Sequence, residues 1–199
     1  MELTPKVRCA LAVARQYPEN LGHVEQVARV CERLFDALRP LHGLGDCEGE
    51  LLLCAALLHD IGLSLGLSGH HRTSFQLILQ AELPALSAGE RLIVANVARY
   101  HRKSHPSPRH EHFAELAPPE QETVRRLAAL LRVADGLDRA HENAVTDADA
   151  SPAGENAWII RVSGSGDLDT AIWGASRKAG LFEEVYGVKL RMAPAHGRG

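Results

Sequence analysis

The run Leu51-Leu52-Leu53-Cys54-Ala55-Ala56-Leu57-Leu58 is apolar throughout and leads directly into His59-Asp60-Ile61-Gly62. A segment this hydrophobic reads as a helix enclosed by other elements. The chain must therefore build its fold around it, with an imidazole and a carboxylate at its C-terminal end. Such groups are expensive to place beside buried hydrocarbon unless something compensates them. A metal ion would do so, and further candidate ligands lie in or beside apolar helical segments: His23, His70, His101 and Asp135.

The surrounding pattern is helical over the first two-thirds of the chain. Thr4-Pro5 offers an N-cap followed by proline at the first helical position, ahead of the stripe Val7, Leu11, Ala14. Asn20 is placed to cap a second helix, whose face Val24, Val27, Val30, Leu34 and Leu38 ends before Pro40. His23 falls in its first turn. The third helix spans 48 to about 61 and stops at the Gly-rich segment 62–69; a fourth runs from about 71 to 81. Ser87, with Glu90 three residues on, makes a capping-box signal for a fifth helix reaching Tyr100 and His101. A Pro/His-rich loop over 103–119 is long enough to suggest an active-site lid. The sixth helix starts near Pro119 and carries Val124, Leu127, Leu130, Leu131 and Ala134 towards Asp135.

After His141 the texture changes. Residues 157–162 and 188–192 read as strands, 143–146 as a weaker one, and 167–178 as a helix between them. The expected architecture is mainly α: a helical metal-binding core over 1–141, a small α+β cap over 142–193 with two or three strands plus a helix, and a flexible tail over 194–199. Trp158 and Trp173 are expected in the core of the cap.

Composition narrows the function classes. A net charge of −3 argues against general nucleic-acid binding. No stretch approaches the length of a membrane span, and no secretory signal pattern opens the chain. The four cysteines lack CxxC spacing, so free thiols and a cytoplasmic setting are expected. Histidine is the outlier, with seven of the 11 between His59 and His112.

His23, His59-Asp60 and Asp135 are too far apart in sequence for a local metal loop, so separate helices have to converge on one point. Imidazole and carboxylate without thiolate favour Mn²⁺, Fe²⁺, Co²⁺ or Mg²⁺ over structural zinc. His70 and His101 would add a second ion, with Asp60 as the bridge. Alone, His59-Asp60 also reads as a helix-end pair.

The ordered pattern His23, His59-Asp60, Asp135 resembles that of the HD superfamily of metal-dependent phosphohydrolases, and His70 and His101 fit the extra histidines of its di-metal members. A narrower resemblance covers nearly the whole chain. Leu-Leu-His-Asp-Ile-Gly (57–62), Gly-His-His-Arg-Thr-Ser (69–74), Ala-Arg-Tyr-His-Arg-Lys (98–103), Leu-Leu-Arg-Val-Ala-Asp-Gly-Leu-Asp-Arg (130–139) and Tyr-Gly-Val-Lys-Leu-Arg-Met (186–192) are similar to the C-terminal HD-like region of the exopolyphosphatase/guanosine-pentaphosphatase (Ppx/GppA) family. The resemblance implies an HD-domain helical bundle. In that family two N-terminal actin-like domains house the phosphatase site, so it also implies a stand-alone HD domain with its own chemistry.

The expected function is metal-dependent hydrolysis of phosphoester or phosphoanhydride bonds, on a nucleotide, a (p)ppGpp-like compound or another small phosphorylated substrate, by a metal-activated water. His23, His59, Asp60 and Asp135 would hold one ion and Asp60, His70 and His101 the other. Asp60, Arg72, Arg102 and Lys103 are the expected catalytic residues, the three cations receiving phosphate oxygens; they read equally well as surface charges. Arg132 or Arg139, one turn from Asp135, would orient that carboxylate. The alternative is a non-catalytic module that binds polyphosphate or a nucleotide, or docks on a partner; a purely structural metal is the third reading. A homodimer is one option for assembly.

Overall fold

In the computed structural model, which describes residues 3–195, the apolar run forms the centre of the molecule. Helix α4 (Asp46–Leu58) is buried from Leu51 to Leu58. Around it pack α1 (Pro5–Ala14), α2 (Leu21–Ala37), α6 (Ala88–Arg99) and α8 (Pro118–Leu137). Each wrapping helix shows the sequence logic of its boundary. Thr4 caps α1 through Val7 N–H at 3.4 Å. Ser87 and Glu90 form the reciprocal capping box of α6, at 3.2 and 2.9 Å. Asn20 makes no side-chain cap; a 3₁₀ turn over Pro18–Asn20 leads into α2 instead. A one-turn helix α3 (Arg39–His42) accommodates Pro40 near its start.

The chain leaves α4 through His59-Asp60 and a 3₁₀ turn, Ile61–Leu65, and then turns into α5 (His70–Gln80). Gly62 makes this turn workable. A Cβ there would stand 2.4 Å from the His70 carbonyl oxygen and 2.5 Å from Ser74 N, so only glycine lets the first turn of α5 close on the Asp60 segment. The Gly62 N–H donates to Ser74 Oγ at 2.9 Å and pins the contact.

The loop over 103–119, long enough to suggest a lid, is tied down. It contains the one-turn helix α7 (Glu111–Ala114). Its histidines anchor it: His105 Nδ1 lies 2.7 Å from Glu184 Oε2, His110 Nδ1 2.8 Å from the Tyr100 hydroxyl, and the His112 ring packs on Phe75.

The C-terminal part holds three strands, β1 (Val145–Pro152), β2 (Ala157–Gly164) and β3 (Lys189–Pro194), in the order β1-β2-β3. The first pair is antiparallel and the second parallel. A parallel pair needs a crossover, supplied by two helices where one was expected, α9 (Leu168–Ser176) and α10 (Gly180–Tyr186). The weak strand expected at 143–146 is the start of a longer one, which packs on α2; there Gln26 donates to the Val145 carbonyl. Pro194 pairs with Val162, and Ala195 N–H donates to the Val162 carbonyl, so the expected tail is ordered strand as far as 195; its remainder, 196–199, lies outside the described residues. Trp158 is core, as expected. Trp173 is 53% exposed, because it projects from the outer side of α9 between two arginines.

The architecture is thus mainly α with a small sheet. Cys9, Cys31, Cys47 and Cys54 are free. Among the described residues no single helix is long and apolar enough to cross a membrane.

Candidate metal centre

Four helix ends meet beneath the outer surface: the start of α2 with His23, the end of α4 with His59-Asp60, the start of α5 with His70, and the turn after α6 with His101. All five side chains are buried. Asp60 stands in the middle. Its Oδ1 lies 3.2 Å from His70 Nε2 and 3.5 Å from His101 Nε2; its Oδ2 lies 3.7 Å from His59 Nε2 and 3.9 Å from His23 Nε2. Asp135, near the end of α8, adds Oδ1 at 3.5 Å from His23 Nε2.

The tautomer of each imidazole follows from its outer partner. His59, His70 and His101 each direct Nδ1 at the carbonyl oxygen three residues back, of Ala56, Leu67 and Ala98, at 2.7, 3.1 and 2.6 Å. A carbonyl only accepts, so Nδ1 carries the proton and Nε2 presents a lone pair inward. His23 directs Nδ1 at a carboxylate instead, Asp138 Oδ2, at 2.7 Å. Outer hydrogen bonds of this kind orient imidazole as a metal ligand.

The inner atoms fit a cation. His23 Nε2, His59 Nε2 and Asp60 Oδ1 are buried without a hydrogen-bond partner among the described residues. Lone pairs of imidazole and carboxylate facing one another repel unless a proton or a metal stands between them. Two sets of ligand atoms, His23/His59/Asp60 and Asp60/His70/His101, each lie within 4.8 Å of one another. Asp60 belongs to both, so the two candidate sets share one carboxylate and could hold a metal ion.

The electrostatics divide the histidines. Burial, reinforced by the neighbouring His59, pushes His101 down to about 3, so it is neutral at pH 7. For His23, burial opposes the charge but is outweighed by the adjacent carboxylates of Asp135 and Asp138, and its pKa rises to about 9. Burial also opposes ionisation of Asp60 and Asp135. His59, His70 and His101 outweigh it at Asp60, and His23 and Lys178 at Asp135, holding both below the usual carboxylate range.

The centre opens into a cleft of about 620 Å³ whose wall includes Asp60, His70, His101 and Asp135 together with Arg102, Lys103 and Lys178. Of the three cations expected to receive phosphate, Arg102 and Lys103 line this cleft. Arg102 Nη1 lies 3.1 Å from His70 Nε2. Arg72 is exposed on α5 and does not line this cleft; two residues on from His70, the helix has rotated it away from the inward face. His71, beside it, is driven down to about 4 by burial and by the charges of His70 and the surrounding arginines.

Neither Arg132 nor Arg139 orients Asp135. Arg132 is buried and donates to the carbonyls of Tyr100 at 2.9 Å and Lys103 at 3.3 Å, bracing the turn that carries His101. The Arg139 guanidinium lies 5.1 Å from the Trp173 ring centre. Asp135 is instead paired with Lys178, from the α9–α10 connection. Three residues of the site were missed from sequence. Asp138 holds His23 and also accepts from Asn143 N–H at 2.9 Å; its position one turn after Asp135 was a readable signal. His141 stacks on the His23 ring at 3.8 Å, and Lys178 arrives from 43 residues away. Neither has a local signature.

Residues 6–165 match the family model described as Ppx/GppA phosphatase, domain III.

Proposed function

The chain belongs to the Ppx/GppA phosphatase family through its domain III, and from that premise we propose that it is an HD-type, metal-dependent phosphohydrolase. Its substrate on this reading is a nucleotide, a (p)ppGpp-like compound or another small phosphorylated molecule, cleaved at a phosphoester or phosphoanhydride bond. The observation that carries the reading is the convergence of four inward Nε2 atoms on a buried carboxylate that lacks enough donors of its own. A docking module has no use for that arrangement, which costs burial of Asp60 and gains nothing without a cation.

His23, His59 and Asp60, with Asp135 at their edge, would hold one ion, and Asp60, His70 and His101 the other. Bound there, the ions supply a water of lowered pKa and neutralise charge on phosphoryl oxygens. The chain's own contributions are positional and electrostatic. The Nδ1 hydrogen bonds keep the imidazoles aimed before any ion arrives, so little ordering remains at binding. Arg102 and Lys103, at the cleft wall beside His70 and His101, would receive the remaining phosphoryl oxygens, a guanidinium in bidentate fashion and an ammonium as a point charge. Free cysteines support a reducing, cytoplasmic setting.

The test is metal analysis of purified protein before and after dialysis against Mn²⁺, followed by a phosphate-release screen over nucleotides, ppGpp and polyphosphate. Metal uptake with turnover of at least one of these compounds is expected. Protein that stays metal-free under saturating Mn²⁺ overturns the proposal, as does metal-loaded protein that is inert towards the whole panel.

A further inference from the structure

Lys178 enters the centre from outside the helices that build it, and the packing that brings it there is specific. Helices α8 and α9 meet backbone to backbone. A Cβ on Gly136 would stand 2.5 Å from Ala175 Cα, and one on Gly174 would stand 2.4 Å from the Gly136 carbonyl oxygen. This contact seats Gly174 against the residue that follows Asp135, and Lys178, one turn further on, then reaches the Asp135 carboxylate. The same lysine lines the cleft with Asp60, His70 and His101.

We propose that Lys178 is a phosphate-binding residue of this centre: it neutralises Asp135 while no ion is bound and turns to a phosphoryl oxygen once a divalent ion takes that carboxylate. The inference rests on the phosphohydrolase reading above. An ammonium on a flexible four-carbon stem can change partners without movement of the backbone. In a partly buried site a divalent ion outcompetes a single positive charge for the same carboxylate. The displaced ammonium then stands in a cleft already bordered by Arg102, Arg139 and Arg177, a concentration of positive charge suited to an anion.

The full chain carrying Lys178→Met, which keeps most of the stem, and Lys178→Gln, which keeps a hydrogen-bond donor for Asp135, separates the two roles. Mn²⁺ binding is measured by calorimetry without phosphate, and inorganic phosphate binding on Mn²⁺-saturated protein. The neutral variants are expected to bind Mn²⁺ several-fold more tightly, because the competing charge is gone. They should bind phosphate about tenfold more weakly or worse, the loss of one charge-assisted contact, with Lys178→Arg recovering most of the phosphate affinity. Weaker Mn²⁺ binding in Lys178→Gln, or phosphate affinity within about twofold of wild type, makes Lys178 a strut and overturns the inference alone. Wild-type protein that takes up no Mn²⁺ instead overturns the phosphohydrolase reading beneath it.

Discussion

The two sides of the cage are built from different kinds of partner. His59, His70 and His101 are each held by a carbonyl three residues back along their own segment. His23 is held by Asp138, 115 residues away, and Asp135 by Lys178, 43 residues away. The first side uses the unsatisfied carbonyls that helix ends and tight turns leave available, so its geometry forms with the local backbone. The second exists only when α2, the end of α8 and the α9–α10 connection are docked together. One side is therefore a local device and the other a tertiary one, with Asp60 common to both.

The largest expected effect removes what the sides share. Asp60→Ala should cost metal affinity on both sides by more than about 100-fold, beyond the range seen when an outer partner alone is lost. Calorimetric titration with Mn²⁺ measures it; retention of one tight ion would mean that the histidines bind without a bridge. Asp138→Ala should act on one side only. It frees His23 Nδ1 and should weaken binding there by about 10- to 100-fold. The Asp60/His70/His101 set, which does not include His23, should keep its affinity, read as one of two Mn²⁺ steps in the same titration. Equal losses in both steps would erase the distinction between the sides.

The same division explains what the sequence made legible. His59, Asp60 and His70 sit at helix boundaries announced by Gly62 and by the start of α5, and His101 closes the apolar helix that the Ser87–Glu90 cap opens, so pattern and motif pointed to them. His23 and Asp135 were also found as residues, but their buttresses were not. The hold of Asp138 on His23 exists only once α2 is folded against the end of α8, and Lys178 has no pattern of its own. Arg72 failed because adjacency in sequence to His70 does not place it on the same helix face. The helical core was readable from periodicity, whereas the length of β1 and the existence of α10 depended on strand pairing and crossover geometry that a linear pattern does not encode.

Backbone contact between α8 and α9 gives a smaller, signed test of the tertiary side. Alanine for glycine inside an exposed helix usually stabilises by up to about 1 kcal/mol. At Gly174 the new methyl would meet the Gly136 carbonyl oxygen and Arg139 Cβ, at 2.4 and 2.9 Å. Gly174→Ala should therefore destabilise, by about 1–3 kcal/mol, in urea unfolding of metal-free protein. A stabilised variant would show that the α8–α9 contact yields easily and that Lys178 is not held in register by it.

The smallest expected effect separates the sides by their protons. His101 on the local side has its pKa lowered to about 3 and is already neutral at pH 7. His23 on the tertiary side has its pKa raised to about 9 and is protonated there when no ion is bound. A raised folded-state pKa stabilises fully below the unfolded value near 6.5 and ceases to do so as pH climbs through 9. Metal-free protein should accordingly lose up to roughly 2 kcal/mol of this contribution between pH 7 and 9, seen as a falling urea midpoint. Mn²⁺ must displace the same proton, so binding at pH 7.5 should release close to one proton, measured by calorimetry in buffers of different ionisation enthalpy. The Asp138→Ala variant, which loses one of the carboxylates holding that charge, should release fewer. An unchanged proton count in that variant would detach the proton from His23 and leave the tertiary side without its electrostatic signature.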